Sequence, residues 1–493
     1  MLSRILKGAA AAALVAVVGG ALLYVAGLRI VIYGDRWPRL QFVTSADRHA
    51  ADLARHRQAQ RAAAAADAPA AAPPSAPPSA PAPQPAAAAG DDKRAEPAAD
   101  PAPAPAAGSS YWTGFRGPER NGTYSQSAII TAWPAAGPKL MWKQPVGGGY
   151  ASFAIAGGRA FTIEQRGPQE VAAAYDVRTG RELWTNSWTA TFTERMGGDG
   201  PRATPAWSDG RVFALGGTGE LRALDAGSGR VLWRTNILDD AGARNLQWGM
   251  AASPLVVGET VIVLPGGSGG RSVIAYATAT GKRVWSAQDD QQSYSSPMLA
   301  TIGGVRQLLV FSAERVAGLT PDRGEVLWEY PWKTNFDVNA SQPVVVAENR
   351  VFLSSGYGHG AVMLEIVRTD RSWSVREVWR NIRMKNQFSS TLLHDGYLYG
   401  LDESILACLD AATGDVKWKG GRYGYGQVVL ASGHLIVLTE SGELALVRAT
   451  PDGHQELARV PAIDGKTWNH PALSDGYLLV RNGNEMAAFD LNR

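Results

Sequence analysis

This 493-residue chain has only one cysteine, little excess of either charge and no metal-binding histidine pattern. Its single cysteine, Cys408, excludes an intrachain disulfide, so cysteine content does not indicate the redox compartment. The formal net charge is only +3 and the acidic and basic residues are interleaved, which excludes the basic stripe that nucleic-acid binding requires. The seven histidines show neither His-x-His nor His-Glu-x-x-His spacing, so no zinc site is predicted.

A short phrase that ends in tryptophan recurs along the chain. Its clean copies run from Ala174 to Trp184, from Ala223 to Trp233 and from Cys408 to Trp418, and each has Asp in third place and Gly in seventh. Complete and degenerate copies together place a tryptophan every 39 to 52 residues, at Trp142, Trp184, Trp233, Trp285, Trp328, Trp379 and Trp418. This period suits four short strands with their turns, which is one blade of a β-propeller.

A second column of turns gives the number of blades. Eight turns, from Gly157-Gly158 to Asp475-Gly476, each separate two apolar runs, and they predict eight blades, with seven as the main alternative. The chain ends in Ala488-Phe489-Asp490, the start of a phrase whose second half resembles Gly137 to Trp142. The predicted fold is therefore all-β, an eight-bladed propeller of four-stranded antiparallel blades over 111–493, closed by the strand near 139–142.

The phrase Ala-x-Asp-x-x-Thr-Gly-x-x-x-Trp resembles the tryptophan-docking motif of the pyrroloquinoline-quinone (PQQ) repeat propellers, over about residues 111 to 493. That family includes quinoprotein alcohol dehydrogenases and non-enzymatic propellers. Closest in type is the propeller lipoprotein of the machinery that assembles outer-membrane β-barrels. The chain departs from both groups, because it lacks a lipoprotein Cys after its N-terminal apolar run and the adjacent Cys pair of many quinoprotein dehydrogenases. The motif itself indicates structure: Trp fills space against the neighbouring blade, and Asp and Gly shape the turn.

The N-terminus carries a membrane signal. Residues 8–28 form an uncharged run of Ala, Val, Leu and Gly after Arg4 and Lys7, long enough to cross a bilayer. We interpret residues 1–33 as a single-pass anchor, with a cleaved signal peptide as the alternative. An anchor of this kind would place the propeller in the periplasm or elsewhere outside the cytoplasm.

Residues 34–110 cannot build a core. We expect an exposed helix over 45–67 and a disordered Ala/Pro-rich linker over 68–107. At about 3.1 Å per residue, such a linker could hold the propeller up to on the order of 100 Å from a bilayer. A variable tail without function is the alternative interpretation of the same composition.

Aligning the eight first strands brings like residues together. The residues just before them, five of them aromatic, are Tyr150, Arg202, Ala251, Tyr294, Ala340, Phe388, Tyr425 and Trp468. The residues two places later, mostly with hydroxyl or amide side chains, are Ser152, Thr204, Ser253, Ser296, Gln342, Ser390, Gln427 and His470. Since side chains two apart lie on one strand face, this predicts an aromatic collar at one channel mouth and a polar ring below it. The alternative is structural packing between blades, with hydroxyls bonded to the neighbouring backbone. With the nearby loops, the candidate binding residues are Tyr150, Ser152, Arg202, Trp248, Tyr294, Asp337, Asn339, Asn386, Phe388, Tyr425, Gln427, Trp468, Asn469 and His470.

Two functions from different classes remain open. The first is a membrane-anchored scaffold that binds an envelope protein, a peptide or another ligand, with no cofactor; it is an inference from the fold. The second is a quinoprotein oxidoreductase acting on an alcohol or sugar, with PQQ and Ca²⁺. That enzyme needs a carboxylate base, oxygen ligands for the metal and stacking aromatics. The residues eligible by position are Asp337, Asn339, Asn386, Asn469 and Trp468. No catalytic role is assigned to any residue.

Overall fold

Residues 111–493 form an eight-bladed β-propeller in a computed structural model of the chain. The structure describes residues 23, 28–31, 38–42, 46–66, 109, 111–194, 196–370 and 372–493. Each blade is an antiparallel sheet of four strands, and the first strands of neighbouring blades contact each other around a central channel. The predicted fold class and blade number are confirmed for the propeller.

The strands follow one another blade by blade. Blades 1 to 4 are built from Ala154–Ala156, Arg159–Arg166, Gln169–Asp176 and Glu182–Thr189; Ala206–Ser208, Arg211–Leu215, Glu220–Asp225 and Val231–Asn236; Leu255–Val257, Thr260–Val263, Val273–Ala277 and Arg283–Ala287; and Met298–Ile302, Val305–Phe311, Arg315–Leu319 and Val326–Pro331. Blades 5 to 7 are built from Val344–Ala347, Arg350–Ser355, Gly360–Arg368 and Trp373–Asn381; Leu392–His394, Tyr397–Asp402, Ile405–Asp410 and Val416–Arg422; and Gln427–Ala431, His434–Leu438, Glu443–Arg448 and Glu456–Pro461.

Blade 8 joins the two ends of the propeller sequence. Its first three strands are Ala472–Ser474, Tyr477–Arg481 and Glu485–Asp490, and its outer strand is Lys139–Pro145 from the start of the propeller. Trp142 faces Ala488 in this pairing, which is the register that the divided repeat phrase requires. A further short strand, Thr123–Tyr124, pairs in parallel with the inner strand of blade 7.

The repeated tryptophan holds neighbouring blades together. In five blades its indole Nε1 donates to a backbone carbonyl in the turn of the next blade, at 2.7 to 3.0 Å. The Gly of that turn packs under the indole: a Cβ at Gly229 would lie 2.5 Å from Trp184. Asp176 shapes its turn by accepting hydrogen bonds from the backbone N–H of Arg178 and Thr179. The motif is therefore a contact between blades as well as a turn.

Three blades modify this contact. Trp285 of blade 3 packs against Gly324 of blade 4, but its buried indole Nε1 makes no hydrogen bond with the described residues. Trp328, predicted to dock on the next blade through the motif, donates instead to Oε1 of Gln307 in its own blade, at 2.7 Å. The reason is that blade 5 has a longer outer hairpin in place of the Thr-Gly turn, so the usual carbonyl and Gly are missing. In blade 7, which has no tryptophan, Val460 packs against Gly137 of blade 8.

The N-terminal segments differ in part from the prediction. Leu28–Val31 is a strand paired with Arg39–Phe42, so the end of the predicted anchor segment is extended and not helical; its β-branched residues favour a strand. The rest of the predicted span, and the Ala/Pro-rich linker, lie almost entirely outside the described residues. In the described ranges, no helix combines the length and the apolar character needed to cross a bilayer.

Two helices complete the described chain. The short helix Ile237–Ala241 follows blade 2 and is capped by the Asn236 side chain. The helix Ala46–Ala66, hereafter the N-terminal helix, was expected to be exposed. One side of it is buried against the propeller instead, where Leu53 is 4% and Arg57 is 2% exposed.

Gly229→Ala should destabilise the propeller more than Gly210→Ala. Both glycines have φ near +70°, so both substitutions carry the strain of a left-handed residue. A Cβ at Gly210 meets nothing within 4 Å, whereas one at Gly229 meets the Trp184 indole. We expect about 1–3 kcal/mol of additional destabilisation at Gly229, measured as the difference in unfolding free energy or as a lower thermal midpoint. Equal effects of the two substitutions would show that the indole contact is not tight.

Candidate functional site

An aromatic cup lies at one mouth of the channel. Its volume is about 780 Å³. All eight residues of the predicted collar line it: Tyr150, Arg202, Ala251, Tyr294, Ala340, Phe388, Tyr425 and Trp468. They come from eight different blades because each precedes the first strand of its blade. We call this cavity the cup.

Aromatic rings form a continuous wall along one side of the cup. The centroid of the Trp468 ring lies 5.4 Å from that of Tyr150 and 4.6 Å from that of Phe388. Phe388 in turn contacts Tyr425 edge to face, with the centroids 5.5 Å apart. Contacts of this kind fix the ring orientations and present apolar faces to the cavity.

Several cup residues were not among the predicted candidates. Met196 and Phe336 stand at the rim, and they are 73% and 63% exposed. Tyr357 and Glu440 also line the cavity, as does Phe115, which precedes all the blade strands in sequence. Phe336 precedes the candidate Asp337 in the same loop, whereas the others belong to no repeat column, so alignment of the blades could not reveal them.

The predicted polar ring lies below the collar and is buried. Its members are Ser152, Thr204, Ser253, Ser296, Gln342, Ser390, Gln427 and His470. From blade 1 to blade 5, the backbone N–H of each ring residue donates to the side-chain oxygen of the ring residue in the next blade, at 2.7 to 3.0 Å. Gln427 and Ser152 extend these bonds to blade 8. The ring therefore has the structural role that was the alternative interpretation.

A segment that precedes the closing strand Lys139–Pro145 in sequence closes the channel below the cup. Residues 112–122, hereafter the plug, cross the channel and place Phe115 at the cup. The carbonyl of Trp112 accepts from Ile155 in blade 1, and that of Gly122 accepts from Leu430 in blade 7, at 2.7 and 2.9 Å. The cup is therefore open at the channel mouth and closed at its base by the plug, and it does not continue into a tunnel.

Two arginines fasten the plug. Arg120 donates from Nη1 to the carbonyls of Ser253 and Pro297, at 3.0 and 2.8 Å. Arg116 donates to the carbonyl of Thr391 at 3.3 Å. Burial lowers the pKa of both guanidinium groups to about 9, so they remain charged near neutral pH. Hydrogen bonds to carbonyls from several blades compensate for part of the cost of burying these charges.

Charged groups lie on one side of the cup. The Arg202 guanidinium packs over the Tyr150 ring at 5.4 Å, and the Lys466 Nζ lies 4.1 Å from the centroid of the Trp468 ring. Burial lowers the pKa of both cations. Glu440 accepts from Nε1 of Trp468 at 3.0 Å. Acidic and basic groups are thus both present, and the cup has no strong preference for one sign of charge.

Trp468 lines the cup, but the polar residues eligible for PQQ and calcium do not converge there. Asn339, Asn386 and Asn469 are fully buried behind it, and each side chain donates to a backbone carbonyl. Asp337 is on a rim loop, 4.0 Å from the Lys333 ammonium. Within the described ranges, no group of three or more His, Cys, Asp or Glu side chains could hold a metal ion. These residues therefore do not fit a calcium-dependent quinone site.

Acid should weaken the propeller through His470. Its Nδ1 donates to the Pro471 carbonyl at 2.7 Å, and its Nε2 accepts from Arg116 at 3.3 Å, so the ring is neutral. Burial, together with Arg116, lowers the pKa of His470 to about 3. Between pH ~6.5 and ~3 the unfolded chain therefore binds a proton at this histidine that the folded chain does not. The contribution of His470 to the free energy of unfolding is constant above pH ~6.5 and falls as the pH drops towards ~3.

We expect this histidine to account for about 1 kcal/mol of the unfolding free energy lost between pH 7 and pH 5.5. His470→Asn keeps a donor near Nδ1 and should remove that share of the loss. His434→Asn, at the half-buried first position of the second strand of blade 7, serves as the control. The check is denaturant unfolding of the three proteins at both pH values; an unchanged pH dependence in His470→Asn would contradict the assignment.

Comparisons with known proteins agree with the fold. The family profile described as outer membrane protein assembly factor BamB matches residues 167–420, more than half of the chain. BamB of Yersinia pestis is 23% identical over 308 residues, which cover 60% of this chain and 75% of that protein. BamB of Bordetella pertussis is 24% identical over 309 residues, which cover 60% of this chain and 72% of that protein.

Solved structures of both functional classes share the architecture. BamB from Moraxella catarrhalis matches with a TM-score of 0.52 at 13% identity, over 72% of this chain and 99% of that chain. Quinohemoprotein alcohol dehydrogenase from Comamonas testosteroni matches with a TM-score of 0.58 at 13% identity, over 78% of this chain and 81% of that chain. At such identities the structures show the fold alone, and the family assignment rests on the profile. The chain belongs to the family of the outer membrane protein assembly factor BamB.

Proposed function

We propose that the protein is a binding scaffold of the cell envelope, and that the cup receives apolar side chains of a protein partner. The observation that carries this proposal is the plugged channel, which leaves a closed, mainly aromatic pocket with exposed apolar residues at its rim. Exposed apolar surface around a pocket is typical of sites that bind proteins. The relatives are named outer membrane protein assembly factors, which supports an envelope protein of that assembly process as the partner.

The cup fits a protein partner better than a redox cofactor. Its wall offers ring faces from several blades and a flexible thioether at Met196, which adapts to different side-chain shapes. The alternative, a quinoprotein oxidoreductase, would require a carboxylate base and metal ligands in the cup. The candidate asparagines are instead held in backbone hydrogen bonds behind it, so the donor set does not favour that alternative.

A photo-crosslinking amino acid at Phe336 should capture the partner in living cells. Phe336 is replaced by benzoyl-phenylalanine, which keeps an aromatic ring at the rim, and the matched control carries it at Val284, an exposed apolar position on the outer strand of blade 3. We expect one dominant crosslinked envelope protein from position 336 and none from 284. Trp468→Ala should reduce that crosslink several-fold, because it removes the centre of the aromatic wall.

Two results would contradict the scaffold. One is the absence of any protein crosslink at 336 in a folded, envelope-located chain. The other is saturable, calcium-dependent binding of PQQ to the purified full chain, measured by quenching of its tryptophan fluorescence.

We also propose that residues 8–28 anchor the chain in a membrane and that the propeller is exported. Leu14→Arg combined with Val17→Arg should release the protein from membranes washed with alkaline carbonate, because each charge at the centre of a span costs about 2.5–3.5 kcal/mol on insertion scales. The control places two arginines at Ala86 and Ala89 in the linker and should remain bound. A mature protein whose mass lacks the first residues would show a cleaved signal peptide instead.

A further inference from the structure

The N-terminal helix docks at the seam where the propeller ring closes. His49 donates from Nε2 to the carbonyl of Val146, just after the closing strand, at 2.8 Å. Arg57 donates to the carbonyl of Pro145 at 3.0 Å. Its Nε lies 3.3 Å from the Glu182 carboxylate in the outer strand of blade 1. The helix therefore contacts both sides of the seam, blade 8 and blade 1.

One glutamine of the closing strand gathers several of these contacts. The Oε1 of Gln144 accepts from His56, Arg57 and Gln60 at 2.9, 3.2 and 2.8 Å. Its Nε2 donates to the carbonyl of Gly180 in blade 1 at 2.6 Å. Residues 49, 53, 56, 57 and 60 follow helical spacing, so they lie on one face of the helix. The seam thus presents a polar acceptor matched to a helix face with several donors.

The site on the propeller is built independently of the helix. Burial alone would raise the pKa of Glu164, but Arg166, Arg481 and Arg57 outweigh it and lower that pKa to about 2. Two of these three arginines belong to the propeller. Arg166 also contacts Glu182. Arg57 lies beside the carboxylates of Glu164 and Glu182. Because Arg166 and Arg481 remain when the helix leaves, these carboxylates keep positive partners.

The docked contact is small enough to open. Among the helix side chains whose burial is described, only Leu53 and Arg57 are buried. A single buried aliphatic side chain contributes about 1.5–3 kcal/mol, far less than what holds the blades together. Residues Arg55 and Arg61 on the same helix are about 70% exposed. Release of the helix would therefore not require the propeller to unfold.

From this geometry we infer that the seam is a helix-binding site for an arginine-bearing helix, occupied by the chain's own N-terminal helix, and that this docking sets the reach of the propeller. With the helix docked, the chain is held to the propeller on both sides of residues 67–108, by the helix before them and by Ser109 after them, whose N–H donates to Asp475. Those residues then cannot increase the distance between the propeller and the residues that precede the helix. With the helix released, these 42 residues could extend by on the order of 100 Å. The Ala/Pro-rich stretch would therefore lengthen the reach of the propeller only after the helix is released.

Hydrogen exchange of the full-length chain tests this inference. Arg57→Ala should lower the protection of backbone amides in residues 50–63 by at least about tenfold, since a buried ion pair loses one partner. Arg55→Ala is the matched control, because Arg55 is exposed and, among the described residues, pairs with Asp52 on the same helix; it should leave protection within about twofold of the original chain. Blade amides report whether the propeller is intact and should not change.

Further measurements separate the alternatives. Glu182→Gln should weaken protection in the same segment, and Arg57→Ala should increase the Stokes radius of the monomer. Protection that is unchanged in Arg57→Ala would overturn the docking site. Protection that falls on tenfold dilution of the original chain would show that a second copy supplies the helix and would overturn the intrachain occupancy. None of these outcomes depends on the cup, so a failure here is distinguishable from a failure of the proposed scaffold.

Discussion

Closure of the ring is the constraint on which the rest of the structure depends. A blade has no core of its own; it buries its apolar faces against two neighbours, and the last blade needs the first. The pairing of Lys139–Pro145 with Glu485–Asp490 meets that need. The repeated indole then joins one blade to the next by a hydrogen bond and a close contact with glycine. A regular ring of this kind is stable enough to carry irregular loops at its mouth.

The cup and the plug are irregular features on that regular ring. The polar ring uses every hydroxyl or amide position to connect blades, which leaves the positions nearer the mouth free to vary. The plug crosses the channel and is fixed by Arg116 and Arg120, so the space above it becomes a shallow pocket. The chain itself therefore fills the channel below the cup.

The repeat made most of the fold predictable, and its limits explain the exceptions. Ring closure follows from aligning copies of the tryptophan phrase. The blade number follows from the second column of turns and the collar from the aligned first strands, because similar local sequences form similar blades. Trp328 departs from its predicted contact because the neighbouring blade, not its own, lost the turn. Phe115 and Met196 were missed as cup residues since no repeat column contains them. The N-terminal helix was expected to be exposed because its composition, rich in Ala, Arg, His and Gln, cannot build a core. Its docking depends mainly on polar contacts, which that composition does not reveal.

The all-β propeller, the number of its blades, the place where the ring closes and the residues that face one mouth are predictable from sequence, since they depend on local patterns repeated at a similar spacing. The plugged channel, the burial of the candidate asparagines behind the cup and the docking of the N-terminal helix at the seam become visible only in the folded chain. Those features depend on contacts between residues as far apart as Arg116 and His470 or Arg57 and Glu182. Such contacts exist only once the ring brings its two ends together.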